Sequence, residues 1–450
     1  MKIVFYSTNS NTFNDKMFKI NIFPTNNDVF KDFCGKNTKD QFFVVMQKPG
    51  FFLPDGDSLY NSAQVFILSQ NSTITDFADK ILSLSPDIAI PFTWWVDPFD
   101  WLTINDTLVA EQLKAHGVKT IAHSLDTGMT CLNKSKTCEK LKALGFFVPN
   151  SVTVEHDMFF CAGSNKKVIH NVYKDYIVAK IKKLTLPLII KETVGVSSYG
   201  ATVVHSYGEA ICYLNSKRNN SDRIVEEYIK GRQFGCEIYG IPGNYTIMPL
   251  VEFSLNQYGI TSPKLSVKYG PAEERSKLGS SLLTSTLNLS KLYKMLNTIA
   301  EELQFRGVAQ IDLIYDVNKN WHVIEINPRL SGMSFTYAAM IGKSLYEMFY
   351  KSCVEEKKIS FENVKKVLNI KLPVLMLEKI KKIRELRGVE FVHITNNKEA
   401  KQEREKGYTE IILTGKNLDE IKNNLTELKK ALPEECYAEN FTNVDKFLYQ

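Results

Sequence analysis

Residues 308–329 read VAQIDLIYDVNKNWHVIEINPR. Two runs alternate apolar and polar residues about a turn at Asn318-Lys319, the pattern of an antiparallel hairpin. A hairpin centred between those two residues sets Asp312 against Glu325 and Gln310 against Asn327. Directly opposed side chains lie about 5 Å apart on one face. That face then carries Asp312, Glu325, Asn327 and Gln310, while Ile311, Leu313, Ile324 and Ile326 share the other. His322 falls on the face opposite Glu325, in a structural role. Two carboxylates so close repel each other unless a cation lies between them. Oxygen donors suit Mg²⁺, with Mn²⁺ as substitute, completed by water and substrate phosphates. A solvated sheet face is the other reading of this stretch taken alone.

Two upstream stretches carry compatible chemistry. LPLIIKETVGVSSYGATVV, residues 186–204, runs an apolar strand into Lys191 and then a loop with Gly195, Ser197, Ser198 and Gly200. Glycines and hydroxyls let a loop cover phosphates, and Lys191 adds a point charge. No GxxxxGK[ST] is present, so this is not a P-loop, and in isolation it reads as a surface turn. In RIVEEYIKGRQFGCEIYG, residues 223–240, Glu226 or Glu227 can accept from an adenine amine, and the backbone of Tyr228 and Ile229 can meet the ring edge. Its plainer reading is a strand with a charged outer face. Lys268, Glu274 and Arg275, in SVKYGPAEERSK, read first as a solvated charged loop.

Around this centre the chain is α/β. Runs at 2–6, 41–46, 63–68, 87–90 and 118–122 predict a mostly parallel sheet, and STNSNTF after the first run lacks a dinucleotide-binding GxGxxG. The aromatic run FTWWVDPFDWL, 92–102, lines a ligand pocket or, more simply, packs as a loop between sheet and helix. A short helix spans 134–145, ended by Gly145, a strand-rich stretch covers 173–240, and helices follow at 291–304 and near 336–352. Beyond about 370, LPVLML, VEFVHI and TEIILTG predict strands of a separate α/β unit, with a final helix at 417–431. The domains expected are 1–128, 129–360 with a lid lobe at about 173–230, and 361–450.

Composition excludes other classes. The 450 residues are 44% apolar and 24% charged, which rules out a disordered chain, a collagen, a rod or a disulfide miniprotein. Lys plus Arg number 56 and Asp plus Glu 50, a net +6 too dilute for a nucleic-acid or membrane surface. Eight cysteines without a CxxC pair, and an N-terminus too polar for a signal core, lead to the expectation of a cytoplasmic protein with reduced thiols.

Taken in order, these stretches resemble the ATP-grasp superfamily across roughly residues 130–350. The resemblance implies an N-terminal parallel-sheet (pre-ATP-grasp) domain, a two-lobed ATP-grasp core mixing α/β and α+β, and a small C-terminal α/β unit. It assigns Lys134 and Lys191 to the nucleotide phosphates, with Ser197, Ser198 and Gly200 in the covering loop. Glu226, Glu227, Tyr228 and Ile229 become the adenine hinge. Gln233 stands where many members carry a ribose-binding glutamate. Asp312, Glu325 and Asn327 become the metal set, and Arg329 faces the transferring phosphoryl group or acyl intermediate. Lys268, Glu274, Arg275, Ser331 and Gly332 are weaker substrate candidates, the last two through backbone amides. VIEINPRLSGMSFTYAAMIGKS looks most like the branch containing the L-amino-acid ligases. Gln310, where D-alanine ligase-like members place arginine, argues against that subgroup. The implied activity is ADP-forming ligation of a small-molecule carboxylate to an amine with ATP and Mg²⁺, in a protein that admits a homodimer. Bicarbonate activation and non-catalytic nucleotide binding are the alternatives.

Overall fold

The computed structural model describes residues 1–8, 12–13, 16–17, 19–47, 64–69, 71–94, 104–161, 169–195, 201–256, 259–261, 265–275, 287–396, 407–432 and 437–449. The leading part is a five-stranded parallel sheet in the order 65–68, 41–47, 2–7, 88–91, 119–120. Strand Lys2–Ser7 shows why its run is almost wholly apolar. Ile3 and Phe5 pack into one core while Val4 and Tyr6 pack into another, so both faces are covered. Within the aromatic run, Phe92 stacks on Tyr346 at 4.7 Å and Trp94 on Phe335 at 5.0 Å. These rings form a joint between the parallel sheet and the 334–349 helices. Residues 95–102 of the run lie outside the described residues.

A second, antiparallel sheet has the order 202–204, 188–192, 223–227, 151–154. Its core is closed by helices Val172–Ile181 and Tyr207–Leu214, which correct the strand-rich reading of that stretch. Both begin at polar caps: Asn171 accepts from the Lys174 amide and Ser206 from the Glu209 amide.

The third sheet is the frame of the molecule. Its strands run 321–327, 307–316, 231–241, 251–253, 267–270, 366–372, 407–415, 389–396 and 19–23, with 244–247 paired to 231–241. The tail strands therefore extend the same sheet that carries the hairpin, which corrects the reading of a separate unit. LPVLML is not a strand: the strand ends at Leu372, and helix Leu377–Arg384 starts at the end of that run. The 417–431 helix is present as Leu418–Ala431, and a further helix, Ala438–Tyr449, follows it. The helix expected near 336–352 is broken. Ser334–Ile341 stops at Gly342, whose φ of 69° favours glycine, and Ser344 and Glu347 form a capping box that starts Leu345–Phe349. Among the described residues no helix is long and apolar enough to cross a membrane.

Candidate active site

The hairpin closes as its sequence predicts at the end that matters. Gln310 faces Asn327 and Asp312 faces Glu325. A bulge after Asp312 then shifts the register, so that Leu313 faces Val323 and Ile314 faces His322. Ile324 becomes the extra residue and lines the cleft beside Glu325, correcting its assignment to the apolar face. His322 likewise shares a face with Ile314, and its ring bonds Asp316 at 2.8 Å beneath Phe147, a structural contact.

Across from the hairpin stands the four-stranded sheet, and between the two lies a cleft open to solvent. Lys134, the first residue of helix Lys134–Ala143, is placed by Asn133, which caps that helix. Its Nζ donates to the Gly195 carbonyl at 2.9 Å and pairs with Glu325 at 2.9 Å. Lys191, on strand Leu188–Glu192, pairs with the buried Glu226. Both expected phosphate-binding lysines therefore face one cleft, each neutralised by a carboxylate. Glu227 is engaged differently: it accepts from Asn150 Nδ2 at 2.9 Å and from the Thr185 amide at 2.7 Å. The Tyr228 amide donates to the Pro187 carbonyl, and its hydroxyl to the Gly259 carbonyl at 3.0 Å. Tyr228, Ile229 and Gln233 line the cleft, while Ser197, Ser198 and Gly200 lie outside the described residues.

Asp312 is half-buried at the cleft wall, and its carboxyl is pushed up to about 7, first by loss of solvation and then by Glu325; Lys268, Arg329 and Lys134 act in the opposite sense. Gln310 donates its amide N–H to Asp312 and accepts from Asn327 at 2.9 Å. Arg329, about nine-tenths buried, donates to Asn327 Oδ1 at 3.1 Å and to the Leu330 carbonyl at 3.2 Å. The donor set thus holds two opposed carboxylates and an amide oxygen, with cations on either side. That chemistry fits a hard divalent ion, whose charge would remove the cost of ionising Asp312. Among the described residues no cluster of three His, Cys, Asp or Glu gathers.

The weaker candidates separate. Lys268 is buried on strand Val267–Gly270, donating to the Gly332 carbonyl at 2.9 Å and lying 3.7 Å from Glu410, so a solvated loop is the wrong picture for it. Glu274 and Arg275 fall in the short helix Ala272–Arg275. The Ser331 amide donates to Ser334 Oγ at 2.9 Å, which commits the group expected at an oxyanion. Sequence reasoning missed the apolar walls Ile189, Ile314 and Ile260. Ile189 and Ile314 were within reach, since each lies two residues along a strand from a named residue.

Glu410 supplies a pH signature. Burial alone would raise its carboxyl, but Lys268, His393 and Lys371 bring it down to about 2 from 4.5. Asn369 adds a hydrogen bond at 2.7 Å. A depressed acid contributes stability that is in place above its unfolded pKa and is lost as pH falls through the folded one. The unfolding midpoint is expected to fall steeply between pH 4.5 and 2, with Glu410 contributing on the order of 3 kcal/mol. Glu410→Gln should flatten that limb in calorimetric scans, and identical slopes would refute the assignment.

Comparison with known proteins shows what the chain is similar to. Residues 158–356 match the family described as D-ala D-ala ligase C-terminus. The D-alanine–D-alanine ligase of Buchnera aphidicola is 26% identical over 253 residues, covering 54% of this chain and 72% of that protein. The chain spans 48%, 47% and 40% of three further relatives of the same name. In fold, an ADP complex of N5-carboxyaminoimidazole ribonucleotide synthetase superposes with a TM-score of 0.62 at 12% identity, over 95% of this chain and 96% of that one. The L-amino acid ligase of Bacillus licheniformis gives 0.61 at 14%, over 96% and 97%. By sequence the central segment resembles D-alanine–D-alanine ligases, and by fold nearly the whole chain resembles these ligases and synthetases. The relatives matched by sequence carry the name of the subgroup that Gln310 argues against.

Proposed function

We propose that this protein converts the carboxylate of an amino acid to an acyl phosphate with ATP and joins it to the amine of a second, releasing ADP and phosphate. One observation carries the reading: Lys134, Lys191, the 226–229 hinge, Asp312 and Glu325 line a single cleft between two sheets. Ile189, Ile314 and Ile324 form walls suited to a purine, with the Glu226–Ile229 edge meeting its rim and Gln233 the ribose hydroxyls. Ser197, Ser198 and Gly200 keep the phosphate-covering role that the resemblance gives them.

On nucleotide binding, Lys134 and Lys191 exchange Glu325 and Glu226 for phosphate oxygens. Asp312, Glu325 and Asn327 would hold Mg²⁺, which when bound neutralises phosphate charge. Arg329 sits beyond that set and stabilises negative charge developing at the acyl group as the amine attacks. Lys268, whose charge bears on Asp312, reinforces the same field. Glu274, Arg275 and Gly332 remain candidates for holding the substrates.

The deciding experiment is an ADP-release screen with Mg-ATP over single amino acids, their pairs, and bicarbonate. Stimulation by an amino-acid pair, with a peptide product in the mass spectrum, is the result expected. Stimulation by bicarbonate alone would move the protein to carboxylate-forming chemistry. ATP binding without any stimulation would make it a non-catalytic nucleotide binder.

A further inference from the structure

Glu237 has no part in the reading above, yet it is the most enclosed acid near the site. It lies on strand Gly231–Ile241 at 0% exposure, directly opposite Gln310. Its Oε1 accepts the Ser331 hydroxyl at 2.7 Å and the Ser334 hydroxyl at 2.6 Å, and its Oε2 accepts the Tyr239 hydroxyl at 2.7 Å. A buried carboxylate is costly unless its lone pairs are filled, and here three hydroxyls fill them. Two of those donors sit on the turn that follows Arg329. That turn is closed on itself as well: Ser331 Oγ accepts from the Met333 amide at 3.0 Å, and the Ser334 amide donates to the Ser331 carbonyl at 3.1 Å.

Arg329 is thus held at both ends. On one side Asn327 accepts from its guanidinium, and Asn327 is fixed by Gln310. On the other, residues 331–334 are pinned to the neighbouring strand by Glu237. Burial raises the Glu237 pKa, while Ser334, Ser331, Tyr239 and the Arg329 charge act to lower it.

We propose that Glu237 is the positioning residue of Arg329: by taking the Ser331 and Ser334 hydroxyls it fixes the turn that aims the guanidinium. The inference rests on the catalytic reading of Arg329. A misplacement of about 1 Å at such a group costs about a hundred-fold in rate. A glutamine at 237 still offers a carbonyl oxygen to both serines, whereas alanine offers none.

The test measures ADP release from Mg-ATP in an equimolar pool of the twenty amino acids. Glu237→Ala is expected to lower kcat about a hundred-fold with the KM for ATP unchanged. Glu237→Gln should restore most of the rate. Should the alanine variant fail to fold, Ser331→Ala with Ser334→Ala removes the same bonds from the other side and is expected to lower kcat alike. In the background of Arg329→Ala, Glu237→Ala should cost nothing further. Full additivity of the two losses, or a Glu237→Ala enzyme with native kcat, would overturn the proposal while leaving Arg329 in its role. An Arg329→Ala enzyme with native kcat would overturn both.

Discussion

Arg329→Ala is expected to reduce ligation by about a hundred- to a thousand-fold, the loss of roughly 3–4 kcal/mol that follows removal of one aimed donor at a developing oxyanion. The guanidinium is about nine-tenths buried, so its charge acts through protein rather than water, and Asn327 and Leu330 hold it in place. It is not among the residues lining the nucleotide cleft. ATP affinity, read by fluorescence titration, should therefore stay close to native while kcat collapses. Arg329→Lys should recover little, since a point ammonium cannot reproduce the planar fork that bonds both partners. A parallel loss of ATP binding would instead assign Arg329 to the nucleotide.

The second large effect is at Asp312, and it divides activity from stability. Asp312→Asn removes one of the two opposed carboxylates of the donor set. ADP release should fall by about a thousand-fold, a change of about 4 kcal/mol in the barrier, with the Mg²⁺ concentration for half-activation moved upward. In metal-free buffer at pH 8 the same variant should unfold at a higher temperature than the native protein. The native carboxyl there bears the cost of ionising in a partly desolvated place against Glu325, and the amide does not. Adding Mg²⁺ should raise the native midpoint and leave that of Asp312→Asn nearly still. Calorimetry in EDTA and in Mg²⁺ measures both, and a native midpoint indifferent to Mg²⁺ would remove the metal set from these residues.

Much of this site was legible because its signals are local. The strand period puts Asp312 and Glu325 on one face, and the turn at Asn318-Lys319 sets their register. The bulge is a different matter. Nothing in HVIEIN marks Ile324 as the extra residue, because a bulge is settled by packing across both faces. Lys268 shows the same limit. SVKYGPAEERSK is charged enough to read as solvated, yet the strand is enclosed by Glu410 and Gly332, which are remote in sequence. The helices at 172–181 and 207–214 were missed for a nearer reason. Apolar β-formers crowd both stretches, and against them the cap signals at Asn171 and Ser206 are single residues. The tail was misjudged because strand order within a sheet is a long-range property.

That sheet bears on how the chain can be divided. Strand 366–372 lies between 267–270 and 407–415, and at the far side 19–23 pairs with 389–396. A chain cut near residue 360 would bare the backbone of 267–270 beside Lys268 and leave 19–23 with nothing to pair against. Such an edge is adhesive toward any other strand, including its own copies. The tail is thus the seal on the catalytic sheet, and a trimmed fragment should be recovered as aggregate rather than as a smaller enzyme.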